Sequence, residues 1–180
     1  MLNKALFLDR DGVINCDYGY VHSFENFDFI DGIFELVNYA HSKGYLILVV
    51  TNQAGIGRNL YTKSDFKRLT SWMCEEFDQR NAPISKVYYC ASHPTMAFGK
   101  YKKDDLRRKP NPGMILEAKT DFNLDLSSSF LVGDRETDIL AGKNAGLGCN
   151  ILFSIKDRIS ITQTSANKVV NHLSDIKKYL

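Results

Sequence analysis

The chain has 180 residues, of which 44% are hydrophobic and 24% are charged, and its formal net charge is +2. This length suits one folded domain, residues 1–180, with a core of its own, and the composition excludes a disordered chain. The small net charge argues against recognition of nucleic acid or of an anionic membrane surface by bulk electrostatics.

The sequence carries no targeting or membrane-spanning signal. No apolar stretch approaches the roughly 20 residues needed to cross a bilayer, and residues 1–4 run directly into an apolar strand without a signal region. The four cysteines lie far apart without a CxxC pair, which suits a reducing compartment rather than a disulfide framework. We therefore expect a cytoplasmic monomer with neither a membrane nor a nucleic-acid partner.

Two kinds of apolar segment alternate along the chain. Short apolar runs predict buried strands, and segments in which apolar residues recur every three to four positions predict helices. The predicted strands are residues 5–8, 45–50, 86–90, 129–132 and 147–153, with a short sixth at 169–170. The predicted helices are residues 31–43, 62–80, 111–122, 136–145 and 174–180.

Three of the helix starts carry capping signals. Asp31 is expected to cap the first helix. Thr62 and Asp65 have the spacing of a capping box, with Asp in place of Glu. Asn111 is expected to cap its helix with Pro112 at the first helical position.

The alternation of strands and helices predicts the fold class. We expect an α/β, Rossmann-like three-layer sandwich with a mainly parallel sheet of five to six strands and right-handed crossovers. Only about twenty residues separate Asp11 from the next helix, and no other insertion exceeds loop size, so no cap domain is expected.

Polar side chains follow several of the predicted strands directly. Asp9 and Asp11 come after the first strand, Thr51 and Asn52 after the second, and Asp134 after the fourth. Ligands bind such sheets at the carboxyl ends of the strands. We therefore expect these residues to meet at one edge.

The residue types at this edge suit cleavage of a phosphate ester. Asp9 is the candidate nucleophile, since a carboxylate forms an acyl phosphate that water then hydrolyses. Asp11 is placed to protonate the leaving group and later to deprotonate water. Two carboxylates would repel a phosphate dianion, so a hard cation such as Mg²⁺ is expected, with Asp134 as a further ligand.

Other groups could hold the phosphate. The Thr51 hydroxyl and adjacent backbone amides could bind phosphoryl oxygens. Lys109 is a compact charge suited to the transferring phosphoryl group, and Arg108 suits a second anionic group on the substrate. Asp138 has two equally weighted interpretations, as a residue that orients the site or as an ordinary residue favoured at a helix start.

Four segments together resemble the haloacid dehalogenase superfamily of phosphatases. They are Asp9-x-Asp11-Gly-Val-Ile-Asn, Thr51-Asn-Gln, Lys109-Pro and Gly133-Asp134-x3-Asp138. The resemblance extends over roughly residues 5 to 150 of a domain-sized chain. It is greatest to the phosphatases that act on heptose bisphosphates, and the closely related histidinol-phosphate phosphatases share much of the pattern. The segments that carry this closer similarity are Phe7 to Asn15, Gly19-Tyr-Val-His22, Thr51 to Arg58, Tyr88-Tyr-Cys90 and Arg108-Lys-Pro-Asn-Pro-Gly-Met114.

This resemblance implies a magnesium-dependent hydrolase that removes the 7-phosphate of D-glycero-D-manno-heptose 1,7-bisphosphate, a small phosphorylated sugar used in surface glycans. It implies Asp9 as nucleophile, Asp11 as acid and base, and Thr51 and Lys109 as stabilisers of the phosphoryl group. The implied metal ligands are the Asp9 side chain, the Asp11 backbone carbonyl and Asp134. The implied substrate-binding residues are Asp17, Tyr18, Gly19, Tyr20, Asn52, Gln53, Ala54, Arg108 and Arg135.

The chain departs from this family in one loop. Members often carry a zinc site built from a Cys-x-His and, just before Arg-Lys-Pro, a Cys-x-Cys. Here Cys90 is present, but Ser92 stands at the histidine position and Asp105 and Arg107 stand where the cysteine pair would be. A structural zinc site needs four ligands, and Cys90 with the displaced His93 does not make one. We predict no zinc.

Two alternatives stay open at this stage. One is a related phosphatase for histidinol phosphate or another phosphosugar. The other is a degenerate member that binds phosphorylated ligands without cleaving them, which is disfavoured because no catalytic position is replaced. A dinucleotide-binding protein is also disfavoured, since no GxGxxG follows the first strand.

Overall fold

The computed structural model describes residues 2–154 and 164–180. Its centre is a six-stranded sheet in the order β3-β2-β1-β4-β5-β6, and every neighbouring pair is parallel. The strands are β1 Lys4–Leu8, β2 Tyr45–Asn52, β3 Lys86–Cys90, β4 Phe130–Gly133, β5 Cys149–Phe153 and β6 Lys168–Val170. The helices are α1 Ile33–Ser42, α2 Ala54–Gly57, α3 Lys63–Asp78, α4 Gly113–Phe122 and α5 Glu136–Ala145. Short 3-10 turns lie at Phe24–Asn26, Gly99–Tyr101, Leu126–Ser128 and Leu173–Tyr179.

The central strands bury both of their faces, which is why they read as continuous apolar runs. In β1, Leu6 and Leu8 pack on one side with α1 and α3. Ala5 and Phe7 alternate to the other side, where they pack with α4 and α5. Helices therefore cover both faces of the sheet, and the predicted three-layer α/β fold with a parallel sheet is confirmed.

The local predictions met with mixed success. The Thr62–Asp65 capping box is present, with the Thr62 amide donating to Asp65 Oδ2 over 2.9 Å and the Asp65 amide donating to Thr62 Oγ1 over 3.1 Å. The predicted Asp31 cap is wrong: Gly32, with φ of 82°, precedes α1 and no side chain caps the helix. A glycine adopts this left-handed backbone without steric cost. The chain therefore turns into the helix at Gly32, which has no side chain to serve as a cap.

The prediction for Asn111 is also wrong. Helix α4 begins at Gly113 after Pro112, without a side-chain cap. The Asn111 side chain instead donates from Nδ2 to the Asp105 carbonyl over 3.1 Å, so it stabilises the preceding loop and not the helix start. The last predicted helix is a 3-10 turn at Leu173–Tyr179, and β2 runs two residues further than predicted, so that Thr51 and Asn52 end the strand. Within the described part of the chain, no helix has the length and apolar character needed to cross a membrane.

The capping assignments can be tested through stability. Thr62→Ala should lower the free energy of unfolding by about 1 kcal/mol, because it removes the acceptor for the Asp65 amide. Asp31→Ala, the matched control, should change it by less than about 0.5 kcal/mol, since its side chain caps nothing. Urea denaturation measures both values, and equal losses would contradict the assignment.

Candidate active site

The carboxyl ends of β1, β2 and β4 meet at one edge of the sheet and border a cavity of about 480 Å³. Twelve of the predicted site residues line it: Asp9, Asp11, Asp17, Gly19, Tyr20, Thr51, Asn52, Gln53, Ala54, Arg108, Lys109 and Arg135. The sequence prediction did not include several other residues that line the cavity: Arg58, Tyr61, His93, Met96, Glu136 and Thr137. Asp138 also lines it, although the sequence left its role open between two interpretations. Tyr18 is outside this lining, because its exposed side chain turns to Asp28, to which its hydroxyl donates over 2.7 Å.

Three carboxylates gather where β1 and β4 end. Oxygens of Asp9, Asp134 and Asp138 lie within 4.8 Å of one another. The Asp9 amide donates to the Val132 carbonyl over 3.0 Å, so the β1–β4 ladder itself carries Asp9 to the end of the neighbouring strand.

Lys109 supplies the opposite charge. Its Nζ lies 2.9 Å from Asp9 Oδ1 and 2.6 Å from Asp138 Oδ1, and it donates to the Val50 carbonyl over 2.8 Å. Burial opposes protonation of Lys109, but Asp138 and Asp9 outweigh it and raise the pKa of the ammonium. Lys109 therefore stays charged between its two carboxylates.

Asp138 combines both of its predicted roles. Its Oδ2 accepts from the Arg135 amide over 3.0 Å at the start of α5, and its Oδ1 pairs with Lys109. A side chain at Gly133 would overlap Asp138, so the glycine allows this buried carboxylate to lie against the end of β4.

The cluster has the charge and the donor atoms that a hard divalent cation prefers. Burial, then Asp138, raises the pKa of Asp134 to about 6. Burial, with the charges of Asp138 and Asp134, also raises the pKa of Asp9 against the effect of Lys109. In the described part of the chain, Asp134 Oδ1 is buried without a hydrogen-bond partner. An unpaired carboxylate oxygen among like charges fits a cation such as Mg²⁺.

Gly12 controls how closely Asp134 approaches the first strand. Its φ of 92° is in the left-handed region, and a Cβ there would overlap the Asp134 carboxylate. The glycine in the Asp9-x-Asp11-Gly segment is therefore needed both for the turn and for the contact.

Asp11 is held away from this cluster by donors of its own. Arg10 Nη2 donates to its Oδ1 over 2.8 Å, Asn15 Nδ2 donates to the same oxygen over 3.1 Å, and Gln53 Nε2 donates to its Oδ2 over 3.0 Å. Arg10 is 1% exposed and also donates to the Val21 carbonyl. A buried charge needs such pairing, so Arg10 fixes the Asp11 carboxylate at the cavity wall.

Gln53 links Asp11 to Thr51. The Tyr61 hydroxyl donates to Gln53 Oε1 over 2.5 Å, while Gln53 Nε2 donates to Thr51 Oγ1 over 2.8 Å as well as to Asp11. Because Thr51 Oγ1 accepts from Gln53, its own hydroxyl hydrogen is left to donate to another acceptor. Gln53 is 2% exposed, so it acts on the cavity mainly through these two side chains.

Asn52, like Gln53, positions another residue of the site through hydrogen bonds. Its Nδ2 donates to the Lys109 carbonyl and its Oδ1 accepts from the Lys109 amide, both over 3.1 Å. The end of β2 therefore holds the backbone of Lys109 by two hydrogen bonds. This contact fixes the base of the lysine side chain beside Asp9.

The outer wall of the cavity is built from charged and aromatic side chains. Arg135 Nη2 pairs with Asp17 Oδ2 over 2.7 Å, and Asp17 Oδ1 accepts from the Gly19 amide over 2.9 Å. The Arg58 guanidinium contacts the Tyr20 hydroxyl. These contacts tie the 17–20 loop to α5 on one side and to the end of α2 on the other.

The loop of residues 91–107, which departs from the family pattern, is held by hydrogen bonds between its own side chains. Ser92 Oγ donates to Asp105 Oδ2 over 2.8 Å, and Cys90 is a buried thiol whose pKa is raised by burial. Among the described residues, groups of acidic, histidine and cysteine side chains with metal-ligand spacing occur at Asp9, Asp134 and Asp138.

Comparison with known proteins gives consistent results. The family model described as HAD-hydrolase-like matches residues 106–176. The chain is 53% identical over 180 residues to the D-glycero-alpha-D-manno-heptose-1,7-bisphosphate 7-phosphatase of Burkholderia mallei, covering 100% of this chain and 95% of that protein. It is 38% identical over 173 residues to the D-glycero-beta-D-manno-heptose-1,7-bisphosphate 7-phosphatase of Escherichia coli K12, covering 96% and 91%.

Solved structures share the fold. A HAD-like phosphatase of Mesorhizobium loti superimposes with a TM-score of 0.87 at 32% identity, covering 98% of this chain and 85% of that one. A D,D-heptose 1,7-bisphosphate phosphatase of B. bronchiseptica, complexed with magnesium and phosphate, superimposes with a TM-score of 0.85 at 23% identity, covering 98% and 97%.

The raised pKa of Asp134 predicts how pH and Mg²⁺ affect stability. In the metal-free folded protein Asp134 holds a proton up to about pH 6, whereas the unfolded chain releases it near pH 4. Its contribution to stability is therefore full below about pH 4 and is lost as the pH rises to about 6. Mg²⁺ needs the ionised carboxylate, so the increase in Tm on adding Mg²⁺ should be larger at pH 7 than at pH 5.

Asp134→Asn is the matched variant for this experiment. It should remove most of the Mg²⁺-induced increase in Tm and reduce the change in metal-free stability between pH 4 and 6, the remainder coming from Asp9, whose pKa is also raised. Differential scanning calorimetry measures both effects. A full Mg²⁺ response in the variant would show that the cation binds elsewhere.

Proposed function

The chain belongs to the haloacid dehalogenase-like hydrolases, and we propose that it removes the 7-phosphate of D-glycero-D-manno-heptose 1,7-bisphosphate with the help of Mg²⁺. It is a phosphoric monoester hydrolase, as its full-length relatives are named. The observation that carries the proposal is the buried Asp9 carboxylate, which lines the cavity and lies beside the Lys109 ammonium and two further carboxylates, Asp134 and Asp138.

We assign the phosphoryl transfer to Asp9 and Asp11. An Asp9 oxygen attacks the phosphorus, the bond from phosphorus to the sugar oxygen breaks, and Asp11 donates its proton to that oxygen. The product is an aspartyl phosphate on Asp9. Asp11 then takes a proton from water, whose oxygen bonds to the phosphorus and releases inorganic phosphate and Asp9.

The remaining groups bind the charge that moves during these steps. Lys109, the Thr51 hydroxyl and the backbone amides of residues 52–54 are assigned to the phosphoryl oxygens. Mg²⁺, when bound, neutralises charge shared by the phosphate and the carboxylates. Asp9, Asp134 and the Asp11 backbone carbonyl are the groups we assign to it.

The outer part of the cavity supports a substrate with a second phosphate. Arg58, His93 and Arg108 line the same cavity, and burial, followed by the positive charges of Arg108 and Arg58, lowers the pKa of His93. His93 Nδ1 accepts from the Met96 amide over 3.0 Å, which leaves Nε2 to carry the hydrogen of the neutral ring. Within residues 2–154 and 164–180, neither Arg58 nor Arg108 pairs with a carboxylate. Two guanidiniums and one N–H group suit a phosphate dianion.

The same wall disfavours histidinol phosphate. That compound carries an ammonium group where the heptose bisphosphate carries its second phosphate, and Arg58 and Arg108 would repel it. We further propose the alpha anomer as the preferred substrate, since the relative that is 53% identical is named for it.

We also propose that residues 1–180 form one domain that works as a cytoplasmic monomer, without a nucleic-acid or membrane partner. The formal net charge of +2 supports the absence of a nucleic-acid or anionic-membrane partner, since it gives little attraction to polyanions.

Asp9→Asn tests the assigned nucleophile. It should lower kcat on the heptose bisphosphate by about 1,000-fold or more, because an amide does not form the acyl phosphate. Released inorganic phosphate is measured, with a far-UV circular dichroism spectrum to confirm folding. Asp121→Asn, at a surface ion pair with Lys86, is the control and should keep full activity. Substantial turnover by the Asp9 variant would contradict the assignment.

Arg58→Ala and Arg108→Ala test the second phosphate site. Each should lower kcat/KM for the bisphosphate by about 10- to 100-fold, the effect of losing one charge-assisted hydrogen bond. The loss on p-nitrophenyl phosphate, which has no second phosphate, should be much smaller. Lys100→Ala removes an exposed charge from the same loop as a control. Equal losses on both compounds would argue against a distal phosphate site.

A further inference from the structure

The loop from residue 91 to residue 107 is long and carries the chain from β3 to Arg108. It contains a single short 3-10 turn, at Gly99–Tyr101. A loop of this length loses much conformational entropy when it is ordered, so fixed contacts are needed to hold it. Two of them lie in its middle: the His93 amide donates to the Tyr101 carbonyl over 3.0 Å, and the Phe98 amide donates to the Gly57 carbonyl over 2.8 Å.

Asp105 joins the two ends of this loop. Its Oδ2 accepts from Ser92 Oγ over 2.8 Å, and its Oδ1 accepts from the Arg107 amide over 3.0 Å. Its backbone carbonyl accepts from the Arg108 amide over 2.9 Å and from Asn111 Nδ2. One residue therefore contacts the start of the loop, its end and the segment before α4.

Arg108 depends on the same contacts. Its side chain is half-buried, and its Nη1 donates to the Ser92 carbonyl over 3.2 Å. Asp105 thus holds the Arg108 backbone directly and the Arg108 guanidinium through Ser92. Lys103 Nζ also lies 3.2 Å from Asp105 Oδ2, but it is largely exposed and such a pair contributes little.

We propose that the hydrogen-bonded pair of Ser92 and Asp105, the Ser92–Asp105 clamp, orders the 91–107 loop and positions Arg108 for the distal phosphate of the substrate. The clamp does with hydrogen bonds what metal ligands at these positions would do with coordination bonds. Asp105 is a positioning residue, since it acts on the substrate through Arg108. The role given to Arg108 rests on the proposed function.

Asp105→Ala is the principal variant. It should raise KM for the heptose bisphosphate about tenfold, the effect of about 1.4 kcal/mol, while changing kcat by less than about twofold, because the chemistry at Asp9 is intact. The KM for p-nitrophenyl phosphate should rise several-fold less. Asp105→Asn should restore most of the affinity, since its amide oxygen accepts from the Arg107 amide and its amide nitrogen donates to Ser92 Oγ. Asp104→Ala, an exposed neighbour, is the matched control and should change neither constant.

Hydrogen exchange gives a readout that needs no substrate. In Asp105→Ala the amides of residues 92–108 should exchange faster than in the parent protein, whereas Arg108→Ala should leave most of them unchanged. Slow exchange in the Asp105 variant, or an equal rise in KM for both phosphate esters, would overturn the proposal. A parent protein that releases no phosphate from the bisphosphate would instead overturn the proposed function, while the exchange experiment would still test the clamp.

Discussion

The site depends on the ion pairs that the Lys109 ammonium makes with Asp9 and Asp138. Asp9, Asp134 and Asp138 bring three carboxylates together in a buried place, where like charges repel strongly because little water screens them. Lys109 contacts two of the three and so allows the buried Asp9, the proposed nucleophile, to stay beside other acids. The charge that Lys109 leaves unbalanced is what makes the remaining carboxylate, Asp134, suited to a cation.

Each of these charged groups is delivered by a different element of the fold. The parallel pairing of β1 with β4 places Asp9 beside the end of the strand that leads to Asp134. The end of β2 holds the backbone of Lys109 through Asn52. The sheet therefore fixes the inner half of the cavity, whereas the outer half depends on the 17–20 and 91–107 loops. This division matches the two tasks of the proposed enzyme, in which one half performs the transfer and the other recognises the substrate.

The sequence predicted best those features that are decided locally or by the pattern of the sheet. Strand β3 and helix α5 have the predicted bounds, and α5 ends at Gly146, whose φ of 83° is in the left-handed region that favours glycine. The strand-end carboxylates could be foreseen at one edge because every parallel strand ends there. The caps at Asp31 and Asn111 failed because a left-handed Gly32 and a loop contact of Asn111 took their place.

The sequence could not show how long-range contacts orient polar side chains. Arg10 was not assigned a role from the sequence, yet it is 1% exposed and donates to Asp11 and to the Val21 carbonyl. Gln53 turns inward because Tyr61, eight positions along the chain, donates to it. Arg58 and His93 line the cavity because of the paths of their loops, which depend on many contacts. Spacing in the sequence therefore did not predict their place in the site.

The three acceptors around Lys109 have a further consequence for catalysis. Lys109 Nζ donates to the Val50 carbonyl and lies 2.9 Å from Asp9 Oδ1 and 2.6 Å from Asp138 Oδ1, so three acceptors surround a group that has three hydrogens. In the proposed reaction the Asp9 carboxylate loses its negative charge when it forms the aspartyl phosphate, and the lysine N–H that faced it would then donate to an oxygen of the phosphoryl group. In that reaction the lysine would keep three acceptors and stay in place while the negative charge moves from the carboxylate to the phosphoryl group.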